Sequence, residues 1–322
     1  MKFGIREICD VTFKAAANNQ KVGSKTFKKY QPVFTIDTAQ TSNMEQASTT
    51  VYAQGGKGYN RLIAWEGEKT LTFTVTDALM SPMGLAVLTS AGLINAGEKN
   101  ASVHVHCTID TAVTAGVATI SYDELAEEIG IRDDSTILVC GDTHTPVYGT
   151  LLDGSGYGYN WFDKVGITAP AKSQTGDVYS VAKDGSLSLA VQTSEGATDT
   201  SVNGTVKFDF YVVMKSGATE ITIEPGDFGG YFYVEADTLY RREDTGEDMA
   251  ATLTFPRVKV QSAFTFTMAA SGDPSTFDFT MDAFPGYTQF DQTKKVCVTM
   301  AIVGADAQGE DDTASHSTHS GN

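Results

Sequence analysis

Two stretches decide how this chain folds: TLTFTVTD, from Thr70 to Asp77, and FDFTMDAF, from Phe277 to Phe284. In the first, Leu71, Phe73 and Val75 alternate with Thr70, Thr72, Thr74 and Thr76. In the second, Phe277, Phe279, Met281 and Ala283 alternate with Asp278, Thr280 and Asp282. Successive side chains of a strand point to opposite faces, so this period of two describes antiparallel strands with one buried and one wet face.

The pattern recurs outward from there. AFTFTM sets Phe264, Phe266 and Met268 against Thr265 and Thr267; KFDFYV sets Phe208, Phe210 and Val212 inward; VCVTMAIV does so with Val296, Val298, Met300 and Ile302, and PVFTID with Phe34 and Ile36. Two helices are expected. One begins at the cap Ser81 with Pro82 in its first turn, turns Leu85 and Leu88 inward above Leu79, and closes at Gly92. The other is short, opened by the capping box of Ser121 and Glu124 and ended by Gly130. Residues 38–61 form a long polar stretch in which STTVYA has strand character, which reads as a protruding hairpin. Residues 100–205 read as an inserted, mostly β segment, and 305–322 as a flexible acidic tail.

The chain has 322 residues, is 41% hydrophobic and carries a formal net charge of −17. Such a balance excludes ordinary nucleic-acid binding, which needs clustered Lys and Arg. The charge is split: residues 1–69 hold 10 Lys/Arg and 6 Asp/Glu, the remainder 13 and 34. A basic first segment and an acidic remainder suit copies that meet one another; a solvated acidic surface explains the same counts through solubility alone. Cys9, Cys107, Cys140 and Cys297 are widely spaced, without a CxxC pair, so reduced thiols are expected rather than disulfides or a zinc site. The opening MKFGIREICD lacks an apolar core for a signal peptide, and no run reaches membrane-spanning length, so synthesis in the cytoplasm is expected.

A search for chemistry finds no catalytic motif. His104 and His106 share one face of a strand, but no further ligand stands at motif spacing, so no metal is expected. DGSGYGYNWFDK has Asp153, Ser155 and Gly158 at calcium-loop positions, yet Tyr157 and Lys164 stand where oxygen ligands belong. GGKGYN around Lys57 lacks the phosphate-loop spacing. The carboxylates of SYDELAEE sit on a short solvated helix, and no nucleophile-elbow motif occurs. No cofactor and no enzyme activity are expected.

Three segments resemble the tube proteins of large tailed phages: Thr49–Leu93, Gly229–Asp248 and Phe255–Gly286. The resemblance implies a mainly β protein: an antiparallel β-barrel or sandwich core with one flanking α-helix and an inserted β-rich segment. The core would comprise residues 1–99 and 206–304, interrupted by 100–205. It implies a virion structural protein, made in the host bacterial cytoplasm, whose hexameric rings stack into a hollow tail tube that DNA passes through without specific binding. A sheath, baseplate or tail terminator protein would be a further partner. The hairpin loop would reach a neighbouring subunit through Tyr52, Gly55, Gly56, Lys57, Tyr59 and Arg61, with Trp65 packed on the core. Asp278, Thr280, Asp282 and Asp209 are the candidates for the lumen wall, where carboxylates repel phosphates. Competing expectations are a baseplate or decoration protein, a β-sandwich adhesin or sugar-binding module using DGSGYGYNW, and a hydrolase without a legible motif.

Overall fold

The computed structural model describes residues 3–5, 7–55, 59–131, 135–152, 161–173, 178–243, 245–261, 265 and 276–304. It divides into two compact units, residues 1–93 with 221–322 and residues 94–220.

The first unit contains β1 (Phe3–Ile5), β2 (Asp10–Ala15), β3 (Gln20–Val22), β4 (Lys25–Phe27), β5 (Pro32–Ile36), β6 (Ala39–Gly55), β7 (Asn60–Asp77) and α1 (Pro82–Thr89). The chain crosses to the second unit through β8 (Gly92–Asn95). That unit contains β9 (Val103–Val113), β10 (Val117–Ser121), α2 (Tyr122–Ile129), β11 (Ile137–Cys140), β12 (Tyr148–Leu151), β13 (Lys164–Ala169), β14 (Val178–Val181), β15 (Ser186–Gln192) and β16 (Gly204–Met214). The return runs through β17 (Thr219–Thr222), which pairs with β8, to β18 (Tyr231–Arg242), β19 (Asp248–Val260), β20 (Phe277–Ala283) and β21 (Thr299–Ile302).

The first unit is built on one open sheet in the order β5-β2-β18-β19-β20-β7-β6, with β1 on β18 and β21 on β19. The fold is therefore mainly β and antiparallel, as expected, but the described strands do not close into a barrel. The alternation sets its inner face. Leu71, Phe73, Val75, Phe277, Phe279 and Met281 are all buried, in one core with Phe13, Phe232 and Phe255. Phe73 stacks on Phe255 at 4.8 Å and Phe13 on Phe34 at 4.6 Å.

Helix α1 lies over this core. Ser81 Oγ accepts from the Gly84 amide at 2.9 Å and Pro82 stands in the first turn. Its buried residues are Gly84, Ala86, Val87, Leu88 and Thr89, whereas Leu79 before it is exposed, and the helix ends at Ser90 in the left-handed region rather than at Gly92, which opens β8. The helix is apolar nearly all round, so residue spacing does not identify its inner face. The expected strand at 296–302 shrinks to Thr299–Ile302, with Met300 exposed, because only four residues pair with β19. The AFTFTM stretch lies outside the described residues apart from Thr265.

The second unit has a five-stranded sheet (β12-β16-β11-β14, with β9 on β16) and a three-stranded sheet (β10-β15-β13). They share a core of Ile120, Leu125, Val139, Leu187, Leu189, Phe208 and Phe210. Helix α2 starts as expected: Ser121 Oγ accepts from the Glu124 amide while the Glu124 carboxylate accepts from the Ser121 amide, and Gly130 closes the helix at φ 75°. The boundary differs from the one drawn at 205/206. Strand β16 pairs with β9 over its whole length, Gly204 opposite Val113 through Met214 opposite Val103, and so belongs to the second unit.

Replacing Phe73 by Ala is expected to cost about 3–5 kcal/mol, through a cavity and a lost ring stack. Replacing Ser121 by Ala is expected to cost only about 1 kcal/mol. Urea unfolding of the two variants checks both magnitudes.

Candidate functional site

Strands β6 and β7 pair from Ala39 opposite Asp77 to Gly55 opposite Asn60. Only the end nearest Asp77 belongs to the core. From Asn60 through Thr70 every residue of β7 is exposed, and β6 is exposed over most of its length beyond Gln40. The expected hairpin is thus a two-stranded arm that leaves the sheet. Its register shifts at Ser48/Thr50, where the Glu68 amide donates to Thr49 Oγ1 at 3.1 Å. A side chain at Gly67 would come within 2.4 Å of that hydroxyl, so glycine is required for the two strands to close at this bulge.

Pairing sorts the outer arm into two faces. Val51 stands opposite Trp65 and Ala53 opposite Ile63; Tyr52 stands opposite Ala64 and Thr50 opposite Glu66. Residues directly opposite share a face. One face is therefore apolar, with Val51 63%, Ile63 55% and Trp65 53% exposed. The other is polar, and on it the Arg61 guanidinium lies 4.1 Å from the centre of the Tyr52 ring. Isolated two-stranded ribbons are marginal in water, and burial of a large apolar side chain contributes about 1.5–3 kcal/mol, so such a face is built to be covered.

Of the loop residues expected to reach a neighbour, Tyr52, Gly55, Tyr59 and Arg61 lie on the arm, and Tyr59, at its turn, is 79% exposed with φ 52°. Gly56, Lys57 and Gly58 lie outside the described residues. Trp65 is not packed on the core, contrary to expectation: it is exposed on the arm, six residues before Leu71, the first buried residue of β7. Its apolar companions Val51, Leu62 and Ile63 were missed. The signal was present, as facing alternations in VYA and LIAW, but their pairing needs the bulged register.

Asp278, Thr280 and Asp282 share the solvent face of β20. Thr76 Oγ1 donates to Asp278 Oδ1 at 2.6 Å, Thr74 Oγ1 to Thr280 Oγ1 at 3.4 Å, and the Gln261 side-chain amide to both Asp282 oxygens at 3.1 Å. The face continues through Asp237, which accepts from Thr252 Oγ1 at 2.6 Å, to the Lys14–Glu235 ion pair. Hydroxyl and amide donors thus line up the carboxylates in fixed orientations without neutralising them, except at Glu235. Asp209 is not part of this face. It lies on β16 in the second unit, 2.8 Å from His106 Nε2.

The comparison with known proteins adds a family. A family model described as the YomU/Tube protein family matches residues 3–136 and 165–300. The chain belongs to the YomU/Tube protein family. No curated protein matches it. The family model spans both units of this tube-family protein and includes much of 100–205, a region the sequence resemblance left without a counterpart; only 137–164 interrupts it. Membership agrees with the phage tail tube resemblance and identifies a virion tail component.

Among the described residues no three His, Cys, Asp or Glu side chains converge as metal ligands. His104 and His106 share a face of β9, with His106 held by Asp209. Cys107, next after His106, points inward, and burial, aided by the charges of Glu128 and Asp209, pushes its thiol up to about 12. A thiol with that pKa stays protonated and inert. In the folded protein alkylation near pH 8 is therefore expected at half-buried Cys297 and not at Cys107, as read by mass spectrometry of peptides; unfolding in urea should equalise them. Because folding raises this pKa from 9.0, the stability it carries is complete below about pH 9 and declines as pH rises toward 12.

Proposed function

We propose that this chain is the subunit of a phage tail tube: copies close into hexameric rings, the rings stack, and DNA passes along the bore. The observation that carries the reading is the arm of β6 and β7, whose apolar face of Val51, Ile63 and Trp65 is left uncovered by the described residues of its own unit. A second copy supplies that cover. A ribbon contact between unlike surfaces is heterologous, and heterologous contacts repeat into rings and filaments. Open sheet edges such as β5 gain partners when copies join around a ring. The family match supports a tube component with a structural rather than an enzymatic role.

In this reading the threonine–carboxylate face of β20, with Asp278, Thr280 and Asp282, lines the bore. Fixed carboxylates repel phosphates and keep the wall from holding the DNA. Asp209 lies on the other unit, where it bonds His106. A sheath, baseplate or terminator protein would meet the outside or the ends of the tube.

Purified protein is expected to form hollow tubes or stacked rings by negative-stain electron microscopy. Ile63→Asp with Trp65→Asp is expected to leave the far-ultraviolet circular dichroism unchanged and to abolish assembly, since two desolvated carboxylates at a hydrophobic seam cost more than the seam provides. Assembly of that variant at wild-type concentration would remove the arm from the contact. Asp278→Lys with Asp282→Lys is expected to give normal tubes in particles that eject DNA slowly, checked by timing genome release; wild-type release would take β20 off the bore.

A further inference from the structure

At one end of the β18/β19 ribbon the first unit has a cleft of about 680 Å³. Its lining includes three cations, Lys29, Arg257 and Lys295, and no carboxylate, in a chain whose net charge is −17. Each cation is laid over a tyrosine ring: Lys29 over Tyr30 at 4.7 Å, Arg257 over Tyr231 at 3.8 Å and Lys295 over Tyr287 at 5.6 Å. None is paired with a carboxylate of a described residue. The nearby Glu235 is neutralised by Lys14, and the floor of the cleft is Tyr233, whose oxygen accepts from the Gln289 amide at 3.4 Å. Rings hold the cations in place without discharging them, which leaves a site shaped for anionic groups.

The other end of the same ribbon shows where anions come from. Strand β21 runs along β19 away from the cleft, from Thr299 opposite Thr254 to Ile302 opposite Ala251, and the Val303 amide donates to Ala250 O. The described chain therefore stops, at Gly304, beside Met249 and eight residues along β19 from Arg257. At the rise of a strand that is about 26 Å. In the sequence, Gly304 is followed by ADAQGEDD, with carboxylates at Asp306, Glu310, Asp311 and Asp312. Glu310 is six residues on and reaches at most about 21 Å, so within one copy only Asp311 and Asp312, on a fully stretched chain, could touch the cleft. A second copy placed end to end puts its cleft where this segment emerges.

We propose that the acidic segment from Asp306 to Asp312 of one copy docks in the basic tyrosine-lined cleft of the next. Four carboxylates meet three cations, and the contact is head to tail. The proposal rests on the stacked-ring reading for its geometry, but the binding step is measurable without tubes.

The test uses the full chain with Glu310→Gln, Asp311→Asn and Asp312→Asn, so that its own segment does not compete. A fluorescent peptide of residues 305–314 is titrated in and anisotropy is read. Saturable binding is expected, weakened at least about tenfold by Arg257→Gln with Lys295→Gln and weakened again as salt rises. In the otherwise wild-type chain, Arg257→Glu with Lys295→Glu should reduce sedimenting assemblies. Adding Glu310→Lys, Asp311→Lys and Asp312→Lys to the same chain should restore them. No peptide binding, or binding indifferent to Arg257 and Lys295, would overturn the docking and leave the tube reading intact. Binding of tripolyphosphate or a short oligonucleotide in place of the peptide would reassign the cleft to phosphate. Peptide binding by a chain that never forms rings or tubes would keep the docking and sink the tube reading instead.

Discussion

Strand β7 has two lives, and the rest of the first unit depends on where it changes from one to the other. From Leu71 to Val75 it is a core strand: its apolar side chains lie under the sheet, and Phe73 stacks on Phe255 of β19. Before Leu71 the same strand is exposed on both faces, held among the described residues by β6. The core half works as a clamp. The burial of Leu71, Phe73 and Val75 fixes register, and a slip of one residue would turn them all to solvent. A clamped register is what lets an otherwise marginal ribbon project with a defined apolar face.

The two surfaces of the central sheet divide labour by the same alternation. Inward positions are aromatic and aliphatic, and outward positions are Thr, Asp and Gln that bond across strands. Thr76 to Asp278, Thr252 to Asp237 and Gln261 to Asp282 each spend a neutral donor on a carboxylate. Neutral donors orient the charge and leave it in place. Where a cation is used, at Lys14 and Glu235, the charge is cancelled. The face stays acidic because its hydrogen bonds come from hydroxyls and amides.

That face also carries Lys259, opposite Asp282, but three other cations are gathered elsewhere. Lys29, Arg257 and Lys295 come from three distant parts of the sequence and meet at the end of β18 and β19, each over a tyrosine. A strongly acidic chain that gathers these three cations on tyrosine faces has a polarity along the ribbon, and polarity is what repeated end-to-end contacts require.

Much of this was legible beforehand, for physical reasons. Period-two alternation identified Leu71, Phe73, Val75, Phe277, Phe279 and Met281 as core and Asp278, Thr280 and Asp282 as outward, because face is a local property of a strand. The capping box of Ser121 and Glu124 was legible because its bonds span three residues. Tertiary structure alone decided the rest. Trp65 lies on the arm because the bulge at Gly67 sets its partner; α1 buries Ala86 and Val87 because an all-round apolar helix leaves the choice to the sheet beneath it. Asp209 went with the second unit because eleven-residue pairing with β9 outweighs its likeness to the core strands. The cleft of Lys29, Arg257 and Lys295 had no sequence signal at all, since it joins residues separated by more than two hundred positions, and only the pairing of strands brings them together.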